Sequence, residues 1–172
     1  MTDLGLERRE WDSKASMLAY LMTTESFVVV GDDAEAPRSF TSYKLTPHTE
    51  VGIISSENGG KPEVSRLANG IVLIGHDSSL TWVDPAAGCT LASRQLVGAF
   101  FGFRGLPEQR DALVVHELGL LRVDGAGHTK WCLDTDIVED ARVESDRIIL
   151  KLMAQEEPIV VEPNSGSVLH ER

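Results

Sequence analysis

An all-β fold made of repeated four-stranded units is what this sequence predicts, on three observations. Short runs of β-branched and aliphatic residues alternate with turns of Asp, Gly, Pro and Ser along the chain. Four segments share one plan, an apolar strand, a polar turn and a second apolar strand: residues 17–31 (MLAYLMTTESFVVVG), 71–84 (IVLIGHDSSLTWVD), 112–124 (ALVVHELGLLRVD) and 148–162 (IILKLMAQEEPIVVE). Their ends, Gly31, Asp84, Asp124 and Glu162, fall in steps of 53, 40 and 38 residues. A spacing near forty is the signature of a repeat array.

The elements follow in order. Residues 4–11 supply a strand to the first unit. Residues 14–22 read either as a helix, capped by Asp12-Ser13 with Ala15, Leu18 and Met22 on one face, or as a strand. The match of Leu21-Met22 and Val28-Val29-Val30 to Leu152-Met153 and Ile159-Val160-Val161 favours the strand. Residues 32–37 and 39–45 continue that unit. The second unit takes residues 51–55 as a strand, then 71–75, 80–83 and 90–96. The longer first step is explained by an insertion holding Pro47-His48 and the loop run Asn58-Gly59-Gly60-Lys61-Pro62. The third unit takes 97–103, the hairpin in 112–124, and 128–133; the fourth takes 137–143, the hairpin in 148–162, and 167–170. The units are therefore 4–45, 51–96, 97–133 and 137–170, within one domain over 1–172.

Three hairpins close on a common turn, VDPAAG at 83–88, VDGAG at 123–127 and VEPNSG at 161–166, and Trp131 follows the second of these. At these residues the chain resembles the repeats of quinoprotein-type and WD-like β-propellers. In those families a strand ends on an acidic residue, turns through Gly, and is often followed by Trp. Only the third unit here combines all three, Trp82 precedes its turn, and no unit has the paired Gly-His and Trp-Asp dipeptides of a WD repeat. The resemblance spans residue 17 to the C-terminus. It implies a β-propeller-like array of about four antiparallel blades and carries no functional residue with it. A small closed ring, a partial open propeller and a half-ring completed as a homodimer all fit. A twisted β-meander or barrel-like sheet without radial symmetry is the alternative. Trp82 and Trp131, in apolar strands beside the turns, are expected to be buried.

Composition narrows function. The formal net charge is −11, with 27 acidic and 16 basic residues. A like-charged surface repels nucleic-acid phosphates and anionic lipid, so neither is expected as a partner. Two cysteines, Cys89 and Cys132, do not make a disulfide framework, and Cys132, in an apolar strand, reads as a small buried thiol. The N-terminal MTDLGLERREWDSK is charged where a signal peptide is apolar, so a cytoplasmic location is expected.

Two sets of residues stand out. His76 and His116 occupy matching positions after the first strands of their units, where the fourth unit offers Lys151. Together they would mark a common blade face for a small ligand or a reaction. Two histidines fall short of the three or four ligands a divalent metal needs, and no metal or cofactor is expected. No GxSxG elbow or phosphate-binding glycine loop is present; the glycines of GAFFGFRG at 98–105 suit a bulged strand.

The second set is the acidic stretch Asp134, Asp136, Glu139, Asp140, Glu144 and Asp146, six carboxylates against Arg142. Interleaved with Ile137, Val138 and Val143, it reads as an exposed outer strand that either is simply solvated or docks a basic partner. The expected function is a non-catalytic protein-binding module that presents this acidic face and its blade loops. A bacterial toxin-neutralising immunity protein is the narrower form. A ligand-binding protein or enzyme on the His76, His116 and Lys151 face, and a subunit completing its propeller by self-association, are the alternatives.

Overall fold

The computed structural model describes residues 6–32, 36–57, 60–106 and 110–169. These form four four-stranded sheets and one helix. The first sheet runs β1 (Arg8–Trp11), β3 (Ser39–Lys44), β4 (Thr49–Ser55), β2 (Ser26–Val30), with helix α1 (Lys14–Leu21) joining β1 to β2. The other three are antiparallel meanders. The second holds β5 (Glu63–Arg66), β6 (Val72–His76), β7 (Ser79–Asp84) and β8 (Cys89–Gln95). The third holds β9 (Phe100–Arg104), β10 (Asp111–His116), β11 (Gly119–Asp124) and β12 (Thr129–Asp134). The fourth holds β13 (Val138–Glu144), β14 (Arg147–Leu152), β15 (Ile159–Val161) and β16 (Val168–Leu169). This is the all-β array of blades that the spacing predicts.

Alternation along each strand sends one set of side chains to each face, and the blades stack on those faces. Val51 and Ile53 of the first sheet meet Val72, Ile74 and Val83 of the second. Leu73, Leu80 and Trp82 leave the second sheet's other face to meet Ala112, Val114, Leu121 and Val123 of the third. Leu113, Val115, Leu120 and Trp131 then meet Ile148, Leu150, Leu152 and Val161 of the fourth. No hydrophobic cluster among the described residues joins the fourth sheet to the first.

The repeated turn has a mechanical role. Asp84 Oδ1 accepts from the amides of Ala86 and Ala87 at 2.8 and 3.1 Å, and Asp124 Oδ1 from those of Ala126 and His128 at 2.9 Å each. Glu162 accepts from Asn164 and Ser165 at 2.9 and 2.6 Å. A left-handed glycine closes each turn, at φ 64°, 88° and 71° for Gly88, Gly127 and Gly166, and its amide donates to the carbonyl of the same acidic residue. The preceding blade then holds the turn from outside. Thr49 Oγ1 donates to Pro85 O at 2.8 Å, Trp82 Nε1 to Asp124 O at 2.9 Å and Trp131 Nε1 to Pro163 O at 2.9 Å. Both tryptophans are buried, as expected.

The first unit departs from expectation. Residues 14–21 are helix, not strand. Ser13 caps it by accepting from Ser16 N, and Met17 and Leu21 are fully buried on the first sheet's outer face with Ile54. The buried side differs from the Ala15, Leu18 and Met22 face, since Met22 is 75% exposed. Gly52 makes room for the helix: a Cβ there would lie 2.6 Å from Leu21 Cδ1. Val28–Val30 belongs to β2, which pairs parallel to β4, so its likeness to Ile159–Val161 is not a shared place in a blade. The strand expected at 51–55 for the second unit is the first sheet's β4, and Glu63–Arg66 takes its role. Asp33, Ala34 and Glu35 of the strand expected at 32–37, Leu4 and Gly5 of 4–11, Asn58 and Gly59 of the loop, and His170 lie outside the described residues.

Trp131 fills the space between the last two blades, so Trp131→Ala is expected to cost about 3–5 kcal/mol, the range for a large core aromatic. Chemical denaturation measures this, and an unchanged midpoint would contradict the packing.

Candidate functional site

Half of the acidic set, Glu139, Asp140 and Glu144, lies on β13, the leading strand and one edge of the fourth sheet. Its neighbours across the stack are β9 and β10, just as β5 lies beside β9. The strand is thus exposed, yet it sits with the leading strands on the inner side of the array, not with the outer strands β8 and β12. Arg104 Nε fixes it there, donating to Ala141 O at 2.6 Å.

Alternation divides its side chains. Val138, Ala141 and Val143 pack on the third sheet. Asp140, Arg142 and Glu144 pair across the strand with Lys151, Ile149 and Arg147, and so share the far face with them. Glu139 takes Lys151 at 2.8 Å and Glu144 takes Arg147 at 2.8 Å. Asp134 ends β12 and accepts from the Cys132 thiol at 3.4 Å; Asp146 stands in the turn between β13 and β14. The carboxylates of Asp136 and Asp140 are exposed and make no hydrogen bond or salt bridge among the described residues.

The second candidate set does not converge. His76 pairs with Ser79 at the end of β6, and His116 with Gly119 at the end of β10, so the histidines do match. The register fixes their counterpart in the fourth blade. Val72, Ala112 and Ile148 each pair with the residue before the acidic turn, which aligns both histidines with Leu152. Lys151 falls one residue earlier, on the opposite face, in its pair with Glu139. A one-residue shift reverses the facing of a strand side chain, so no common His76, His116 and Lys151 surface exists.

Both histidines are also buried in the stack, at 5% and 3% exposure. His76 Nδ1 lies 3.3 Å from the Asp77 carboxylate, which also accepts from Ser55 Oγ and Ser56 N and so ties the second blade to the first. His116 Nδ1 donates to Val97 O at 3.0 Å. Burial holds the His116 pKa below its ordinary 6.5, so the ring is neutral at pH 7. Cys132 is exposed, where a buried thiol was expected. Desolvation and then Asp134 push its pKa up, which leaves a protonated, weakly nucleophilic thiol. Among the described residues no three His, Cys, Asp or Glu side chains group as metal ligands.

One feature escapes the sequence altogether. Along the inner side of the first three blades runs a groove of about 520 Å³, lined among others by Arg8, Tyr43, Lys61, Arg66, Phe103 and Arg104. Its cations are scattered from residue 8 to residue 104, and no motif links them.

His116 makes stability depend on pH. Its depressed folded value means that the unfolded chain binds more protons below about pH 6.5, so acid favours unfolding. Stability contributed above that pH is lost as pH falls through it. The wild-type denaturation midpoint should therefore drop more steeply between pH 7 and pH 5 than that of His116→Gln; equal slopes would contradict this.

No protein-family description and no curated protein matches the chain. Solved structures do. The β-propeller domain of Cps50 (Swd1) from Myceliophteria thermophila is similar at 12% identity and TM-score 0.51, over 77% of this chain and 53% of that one. Hsv2 from Kluyvelomyces marxianus is similar at 12% identity and TM-score 0.42, over 67% and 39%. BamB from Moraxella catarrhalis is similar at 18% identity and TM-score 0.47, over 80% and 44%. This chain spans about half of the Swd1 domain's length. The four stacked sheets, their repeated acidic-Gly turns and the Swd1 likeness together give the chain a β-propeller repeat architecture.

Proposed function

We propose that this chain is a non-catalytic protein-interaction module that docks a basic partner through β13 and its flanking turns. One observation carries the reading. The side chains of Asp136, in the bend before the edge strand β13, and of Asp140, on that strand, stand exposed without a salt bridge among the described residues, in a chain whose net charge is −11. A field of that sign speeds encounter with a basic surface and fixes its orientation. The groups better suited to chemistry, His76 and His116, are tied into the stack between blades. A toxin-neutralising immunity protein is the narrower form of this reading, and compact size and acidity are its support. It requires the partner to be a toxin domain whose active surface is basic.

The test uses the protein that co-purifies with the chain from its native cell. Asp136→Asn, Glu139→Gln and Asp140→Asn are combined in one variant. Folding stability should stay within about 0.5 kcal/mol of wild type, as for other surface changes. Association should slow at low salt, and the deficit should shrink as salt is added, because exposed charges are screened beyond about 8 Å at physiological ionic strength. Equal association rates at every salt concentration, or no co-purifying protein, would overturn the proposal.

A further inference from the structure

We infer that the inner groove is a binding site for a small organic oxyanion, a carboxylate or phosphate ester carried on an apolar body. The inference is independent of partner docking, because the groove lies on the first three blades and the docking residues on and around the fourth.

Charge is the first argument. The groove is lined by Arg8, Lys61, Arg66 and Arg104 against only Glu63 and Asp111, in a chain with an excess of acid. Two of these six are spent elsewhere: Arg8 pairs with Glu10 at 2.7 Å, and Asp111 with Arg122 at 2.8 Å. Lys61, Arg66 and Arg104 remain against Glu63, whose Oε2 already accepts from Phe103 N at 2.9 Å. The local surplus is positive.

Preorganisation is the second. Arg66 donates to Leu45 O, and Arg104 to Ala141 O at 2.6 Å and Phe103 O at 3.1 Å. Main-chain carbonyls orient a guanidinium without neutralising it, so each keeps its charge and its remaining N–H donors for an oxyanion. Lys61, also in the lining, is exposed and its side chain makes no hydrogen bond or salt bridge among the described residues, which leaves a third cation for the ligand. The third argument is shape. About 520 Å³ suits a small molecule, and Leu67, Phe103 and Leu106 give it an apolar wall. An inorganic anion would leave that wall wet; an aryl or alkyl ester would cover it.

Calorimetric titration of the full chain tests this with phenyl phosphate, phenylacetate and inorganic phosphate as probes, at constant ionic strength. Phenyl phosphate should bind saturably and more tightly than inorganic phosphate. The rank of phenylacetate against it separates a carboxylate site from a phosphate site. Lys61→Gln should weaken phenyl phosphate about tenfold, the scale for losing one hydrogen bond to a charged group. Because the Lys61 side chain makes no hydrogen bond or salt bridge among the described residues, this variant is expected to fold even if Arg104→Gln, expected to weaken binding at least as much, disturbs β13. Arg94→Gln, away from the groove on β8, should bind as wild type. Absence of saturable binding by both phenyl phosphate and phenylacetate, or equal affinity of the bound probe for wild type and Lys61→Gln, would overturn the inference.

Discussion

A small four-stranded sheet has two faces and nothing of its own to cover either, and the rest of this molecule answers that constraint. Stacking supplies the cover, and the acidic-Gly turn supplies the handle by which one blade grips the next. The grip is polar and directional: Trp82 and Trp131 each bury a large ring between blades while the indole N–H satisfies a turn carbonyl. Two residues before the acidic turn the blades carry Trp82, Arg122 and Val160. Trp82 and Arg122 both reach the following blade, Arg122 Nη1 donating to Pro163 O at 2.7 Å.

The two ends of the stack are finished differently. At the first sheet, α1 lays Met17 and Leu21 over the exposed face. Tyr20 O–H donates to the buried Glu50 carboxylate at 2.6 Å, and the Arg9 guanidinium lies 4.7 Å from the Tyr20 ring centroid. At the fourth sheet the far face keeps an apolar row, Ile149, Val160 and Leu169, flanked by the Asp140–Lys151 and Glu144–Arg147 pairs.

Legibility followed the repeat. Where blades are regular copies, apolar alternation and the acidic-Gly turn located three hairpins, both buried tryptophans and the stack itself. The first blade was illegible because its solution is unique. A Val-Val-Val run suits a parallel outer strand as well as a hairpin strand. The helix depends on Gly52, 31 residues beyond its end, to receive Leu21. The histidine face failed on register, since a single residue decides which side Lys151 takes and only strand pairing sets that residue. The acidic stretch was legible as an exposed strand because charge density needs no tertiary context; its place on the inner side was not, because that depends on the order of strands within a sheet. The groove was invisible since Lys61, Arg66 and Arg104 become neighbours only through stacking.

Charge is partitioned by this architecture in a way that composition hides. The chain is acidic on average, yet the strands leading the second and third blades, with Lys61 just before the first of them, bring a surplus of cations to one groove, while the fourth bears carboxylates. Arg104 lies at the boundary, lining the groove and also anchoring the acidic strand through Ala141 O. Screening confines each field to about 8 Å at physiological ionic strength, so a small anion in the groove responds to the nearby cations more than to the distant excess of acid. A basic protein docking as proposed would by the same rule be drawn to β13 and repelled from the groove. If both proposed sites are filled, opposite signs on neighbouring blades would separate the two ligands, and Arg104, which lines the groove and holds β13 through Ala141 O, is the residue through which occupancy of one would be felt by the other.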